Sequence, residues 1–182
     1  LCRHFHLSLQ SGSRTVLERM HRRYDPEAFV AALERIRAAV PGAAVTTDII
    51  VGFPQETDEE FETSVLFCES AEFARIHVFP YSRRPGTPAA AMVGQVPGSV
   101  VRRRRDTMEQ LAERSRVAYA SSWLGRMVRV LWEDETTPGS GVYAGMSDNY
   151  LRLLCRNEAS LQNIAEDVTI ERLDADGVWV RR

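Results

Sequence analysis

Near the start of the chain, two imidazoles, a hydroxyl and a carboxamide recur at every second residue: His4, His6, Ser8 and Gln10, with Phe5, Leu7 and Leu9 between them. Period-two alternation puts the polar set on one face of a strand and the apolar set on the other. A polar face of this kind suits a strand that grips a polar ligand inside a barrel; the wet face of an edge strand reads the same way. Asp48 lies within Thr46–Pro54, a mostly apolar, β-branched run expected to be buried on both faces, as parallel strands are. A carboxylate there is costly unless paired or used, although capping or orienting a neighbouring loop would also account for it. In a third run, Arg75–Pro80, the alternation places His77, Phe79 and Tyr81 on one face and Ile76 and Val78 on the other. His4 and His6 could supply two metal ligands, but metal sites usually need three from the protein and no further cluster joins them, so no metal ligand is assigned.

Helical signals separate these strands. Asp25-Pro26-Glu27 supplies an N-cap, a proline in the first turn and an early acid. Phe29, Ala32, Leu33, Ile36 and Val40 follow at helical spacing, and Pro41-Gly42 stops the run. Thr57 with Glu60 forms a capping-box pattern ahead of Phe61, Val65 and Leu66. Strand, helix, strand, helix, strand is the order of a parallel α/β fold, whose ligand groups collect at the carboxyl ends of the strands.

The motifs Leu9-Gln10-Ser11-Gly12-Ser13, Met20-x-Arg22-x-Tyr24, Thr47-Asp48-Ile49-Ile50-Val51-Gly52-Phe53-Pro54-x-Glu56-Thr57 and Tyr81-Ser82-x-Arg84-Pro85-Gly86-Thr87-Pro88-Ala89 resemble, in this order, the radical S-adenosylmethionine tRNA methylthiotransferases. The start at Cys2-x-His4 and the His77–Tyr81 strand are similar to the branch acting on threonylcarbamoyladenosine; the isopentenyladenosine branch is the alternative. The resemblance implies an α/β fold: the C-terminal half of a parallel radical SAM partial barrel over 1–98, a linker helix over 99–122, and a small all-β TRAM barrel over 123–182 that binds RNA. It implies S-adenosylmethionine as cofactor, held by Gln10, Ser11, Asp48, Gly52, Phe79 and Tyr81. Gln10 and Ser11 would reach its ribose or methionine part, Gly52 would let the backbone approach, and Phe79 and Tyr81 would flank adenine or the substrate base. It implies the tRNA anticodon loop as partner, with His4, His6, Arg84, Arg102 and Arg103 on the substrate side. Two 4Fe–4S clusters belong to such enzymes; one generates a 5′-deoxyadenosyl radical, the other delivers the methylthio group. Their ligands are not expected here, because Cys2, Cys68 and Cys155 contain no Cys-x3-Cys-x2-Cys triplet. All three cysteines read as packing groups. The chain is therefore expected to be a C-terminal piece of a longer enzyme, inactive alone.

Two residues depart from the family pattern. Gln55 stands where glycine is usual and is strained if its φ is positive; Arg14 stands where an acid is usual and deprives a helix from Thr15 to Met20 of a cap.

Beyond Arg75–Pro80, Thr87–Gly98 reads as a linker and about Ser99–Leu124 as a long polar helix opening on Arg102-Arg103-Arg104-Arg105. The arginine run is either a solvated face or a set of phosphate forks. Met127–Trp132, Tyr150–Leu154, Val168–Leu173 and Val178–Arg181 read as strands, the last two joined by a tight turn at Asp174–Gly177. Every basic residue of the 182 is arginine, and the net charge is −2, so the chain as a whole is no electrostatic magnet for RNA. No apolar stretch is long enough to span a bilayer, and a cytoplasmic setting without a membrane partner is expected. A stand-alone RNA-binding module and a different metal or cofactor enzyme are the competing classes.

Overall fold

A computed structural model describes residues 2–182. The chain forms two compact units: Phe5–Pro41 with Val45–Arg116, and the residues up to His4 with Gly42–Ala44 and Val117–Arg182.

The first unit is a three-stranded sheet with helices, in the order β1 (His4–His6), α1 (Arg14–Arg19), α2 (Pro26–Ala39), β2 (Ala44–Val51), α3 (Asp58–Ser70), β3 (Arg75–Pro80), α4 (Pro88–Ala91) and the start of α5 (Gly98–Ser121). The sheet order is β1-β2-β3; β2 and β3 run parallel with Asp48 opposite His77, Ile50 opposite Phe79 and Val51 opposite Pro80. Local signals act as read: Asp25 Oδ1 accepts from the Ala28 amide at the start of α2, and Thr57 and Glu60 form a reciprocal capping box at α3. The core gathers Leu9, Phe29, Leu33, Val45, Ile49, Phe61, Cys68, Phe73 and Met108 between sheet and helices.

Several expectations are corrected. The first strand is regular only over His4–His6. Beyond it the Thr47 hydroxyl accepts from the Leu9 amide and donates to the Leu7 carbonyl, replacing ladder bonds, and Gln10, in left-handed backbone at φ 68°, makes one parallel bridge to Ile49. β2 is not buried on both faces: Asp48 and Ile50 are partly exposed. The linker read over Thr87–Gly98 contains the short helix α4, capped by the Thr87 hydroxyl. Cys2 is exposed, not a packing group, whereas Cys68 and Cys155 are buried.

The second unit is a closed five-stranded barrel, ordered β4 (Met127–Glu135), β5 (Val142–Ser147), β6 (Arg152–Arg156), β8 (Gly177–Arg181), β7 (Ala165–Asp174). Closure removes sheet edges. Trp132, fully buried, fills the interior with Val130, Leu153, Leu161 and Ile170. β5 carries no strong strand signal because Gly145 interrupts it; a Cβ there would come within 2.7 Å of Trp132 Cε3, so only glycine fits against that ring. Within this unit Arg3 forms a fork on Asp148 and lies over the Trp123 ring, and His4 stacks on Tyr150 with centroids 3.9 Å apart.

Candidate functional site

The carboxyl-terminal end of the parallel sheet opens into a cleft of about 910 Å³ within the first unit. Ile50, Phe53, Phe79, Met20 and Met92 give it apolar walls, and Gln10, Asp48, Tyr81, Arg19, Arg22 and Arg84 supply polar groups. This mixture suits a ligand with a flat apolar body and a few directed polar atoms.

Asp48 is the only carboxylate among the lining residues. The Ser8 hydroxyl donates to its Oδ2 at 3.0 Å, and His6 Nε2 lies 3.1 Å from the same oxygen. His6 Nδ1 is 2.9 Å from Thr46 Oγ1. Of the polar face read in the sequence, His6 and Ser8 thus share one side, where Asp48 joins β1 and the segment after it to β2. Asp48 Oδ1 has no hydrogen-bond partner among the described residues. His77, opposite Asp48 on β3, has its ring 6.1 Å from that of His6. Burial, with Arg75 next, pushes the His77 imidazole below its ordinary value.

Three further groups lack a side-chain partner of this kind among the described residues. The Gln10 carboxamide makes no hydrogen bond to the described residues although Gln10 is only 8 % exposed. The Tyr81 hydroxyl is buried and unpaired, while the ring sits edge-on to Phe53 at 5.4 Å. The Arg84 guanidinium has no acidic partner among the described residues; Arg83 Nε donates to the Ala90 carbonyl. Of these only the Tyr81 hydroxyl is buried; buried polar groups are normally satisfied, so a polar ligand in the cleft would complete it.

The structure does not bring every expected residue to the cleft. Ser11 is 1 % exposed and turns inward, its hydroxyl 2.9 Å from Ser64 Oγ and accepting from the Ser13 amide, so it joins the loop to α3 and cannot reach a ligand in the cleft. Gly52 does not line the cleft either; at φ 76° a Cβ there would meet Val101 Cγ2 at 2.5 Å, so its missing side chain makes room for α5. His4 is occupied by its stack on Tyr150. Arg102 and Arg103 are exposed and away from the cleft, Arg103 pairing with Asp58. Arg104, read only as part of a run, is 3 % exposed and bonds the Glu56 carbonyl, Glu56 Oε2 and Asp58. Its signal was present: Arg104 falls in the helical stripe Val101, Met108, Leu111. Sequence reasoning also missed Arg19, His21 and Met92 as lining residues; Met20-x-Arg22 was noticed as a motif without being given a place in the site.

Among the described residues no group of three or more His, Cys, Asp or Glu side chains could hold a metal ion. Cys68 sits in the core of the first unit, where burial pushes its thiol up to about 12, and Cys155 in that of the second. The thiols present do not fit a 4Fe–4S cluster, which needs closely set thiolates. The orphaned groups of Gln10, Asp48 and Tyr81 do fit S-adenosylmethionine, a ligand with an aromatic base, a ribose and an amino-acid end. A second hollow, of about 520 Å³, lies on the barrel and is bordered by Arg156, Arg172, Arg181, Arg182 and Trp179, with the Arg172 guanidinium 4.6 Å from the Trp179 ring centroid.

Residues 2–68 match the model of the radical SAM superfamily. Coproporphyrinogen III oxidase (HemN) from Escherichia coli, described as a radical SAM enzyme, shares the fold with a TM-score of 0.54 at 16% identity, over 80% of this chain and 41% of that one. Threonylcarbamoyladenosine tRNA methylthiotransferase MtaB of Bacillus subtilis is 40% identical over 98% of this chain and 41% of its own length. A tRNA-2-methylthio-N(6)-dimethylallyladenosine synthase of Leifsonia xyli is 49% identical over 69% of this chain and 24% of its own. The fold is that of the radical SAM enzyme HemN, and the matched segment is that of the superfamily. Within that superfamily the chain belongs with the tRNA methylthiotransferases, and it spans about 41% of the length of the first of these relatives.

Proposed function

We propose that these residues are the part of a radical SAM tRNA methylthiotransferase that supplies one wall of the cofactor cleft and a TRAM domain, acting on C2 of N6-threonylcarbamoyladenosine in the anticodon loop of tRNA. One observation carries this reading: the Gln10 carboxamide, Asp48 Oδ1 and the Tyr81 hydroxyl, which have no hydrogen-bond partners among the described residues, line one cleft with aromatic walls at the carboxyl ends of parallel strands. S-adenosylmethionine, when bound, supplies the radical chemistry. The chain's own residues bind and orient: Gln10 and Tyr81 offer hydrogen bonds to its polar groups, Phe79 and Phe53 exclude water from a base, and Arg84 offers a fork to an anion. The cysteines of this chain do not fit an iron–sulfur cluster. On the barrel, Arg156, Arg172, Arg181 and Trp179 offer guanidinium and aromatic faces to RNA.

The dimethylallyladenosine branch is the second reading, favoured by the 49% identity to the Leifsonia xyli synthase. Mass spectrometry of tRNA nucleosides from cells lacking the gene separates the two. The proposal expects the methylthio form of threonylcarbamoyladenosine to vanish and its unmethylthiolated precursor to rise. Loss from dimethylallyladenosine instead supports the second reading, and unchanged levels of both overturn the proposal.

A further inference from the structure

Resting on the reading of the cleft as the S-adenosylmethionine site, we propose that His6 and Ser8 are positioning residues: they touch no ligand themselves and hold the Asp48 carboxylate so that Oδ1 meets a donor of the cofactor. Asp48 lines the cleft, and neither His6 nor Ser8 does. Both reach the same atom, Ser8 Oγ at 3.0 Å and His6 Nε2 at 3.1 Å from Asp48 Oδ2. An ionised carboxylate only accepts, so the hydroxyl and the Nε2–H both donate to it. In the neutral ring Nδ1 then accepts from the Thr46 hydroxyl at 2.9 Å. Thr46 is 1 % exposed, so the far side of the imidazole is tied to the interior of the sheet.

These two bonds are the only ones to the Asp48 side chain among the described residues. The backbone sets the neighbouring ligand group by separate bonds: the Gln10 amide donates to the Asp48 carbonyl at 2.8 Å, and the Ile50 amide to the Gln10 carbonyl at 2.9 Å. Backbone pairing therefore fixes where Gln10 and Asp48 stand, while His6 and Ser8 fix where the Asp48 carboxylate points. A carboxylate without them would turn about its own side-chain torsions, and a ligand would have to order it on binding. Groups held beforehand in the bound arrangement avoid that ordering cost.

Titration of the full 182-residue chain with S-adenosylmethionine, followed in amide NMR spectra, tests this, with undiminished dispersion of the spectra showing that each variant folds. His6→Phe and Ser8→Ala should each weaken binding about fivefold, the effect of one directed hydrogen bond. His6→Gln, which keeps an N–H donor near the place of Nε2, should recover most of the loss. On an Asp48→Ala background neither substitution should weaken binding further, because residues that act only through that carboxylate lose their effect with it. The Hα–Hβ couplings of Asp48 in the ligand-free chain should report one side-chain rotamer, averaged in both single variants; they decide the matter even if Asp48→Ala abolishes binding. The same loss on the Asp48→Ala background, no loss in the single variants, or Asp48 couplings unaltered by them overturns the positioning role and leaves the cofactor reading standing. Absence of binding at the cleft by the unaltered chain overturns both.

Discussion

At the scale of single residues, Gln55 shows most directly how a departure from pattern becomes strain. It lies in left-handed backbone at φ 66°, held by its amide donating to the Gly94 carbonyl and its carboxamide to that of Val93. A side chain costs about 1–2 kcal/mol in that region and glycine does not. Gln55→Gly should raise stability by about 0.5–1 kcal/mol in urea denaturation, because the lost carboxamide bond is exposed and worth less. Glu60 makes the opposite kind of prediction. Burial alone would raise its pKa, but hydrogen bonds from Arg19, Thr15 and the Thr57 amide outweigh it and hold the carboxyl down at about 2. A carboxylate depressed in the folded state stabilises above its unfolded pKa, and that stability disappears as pH falls from about 4.5 toward 2. Unfolding measured across this window should lose on the order of 2 kcal/mol, and Glu60→Gln should flatten that part of the profile. Arg14, expected only to remove a cap, is the first residue of α1; Ser13 makes no side-chain cap there, and Arg14 pairs instead with Asp25 and Glu27.

At the scale of elements, the loop after β2 is fixed by α5. Arg104 and Glu56 are both almost fully buried and 2.8 Å apart, and the Gly52 amide donates to the same carboxylate. Burial pushes the Glu56 carboxyl up even so, so the ionised pair depends on the guanidinium staying in place. Arg104→Met should destabilise the protein by about 3–5 kcal/mol in thermal or urea unfolding, since it strands a buried charge, and adding Glu56→Gln should recover a large part of the loss. Elements were legible where their signals are local. The Asp25 cap, the Thr57–Glu60 box and Arg75–Pro80 needed only neighbours in sequence. β5 was not legible, because Gly145 is there for the Trp132 ring. The shortening of β1 was hidden too, since it depends on the Thr47 hydroxyl replacing its ladder bonds. The candidate site was legible in part: alternation put His6 and Ser8 on one face, but their meeting with Asp48 was not read, and Ser11 and Gly52, close by in sequence, are turned to α3 and α5 by contacts that no local pattern reveals.

At the scale of the whole molecule, a parallel sheet with a cleft and a closed barrel divide the chain into units with separate cores. The three thiols fall outside any common cluster, two of them in different cores. Anaerobic reconstitution with iron and sulfide should therefore leave this chain at background iron and sulfide content; a stoichiometric 4Fe–4S cluster would contradict the reading. The two hollows offer S-adenosylmethionine alternative places, one walled by Phe53, Phe79 and Tyr81, the other by Trp179 and arginines. Titration of the isotopically labelled chain with S-adenosylmethionine, followed residue by residue in amide NMR spectra, decides between them. Shifts centred on Gln10, Asp48, Phe79 and Tyr81, with the amides of Cys155, Arg172 and Trp179 unmoved, are the predicted result; shifts centred on the barrel hollow, or none at the cleft at saturating ligand, would contradict it.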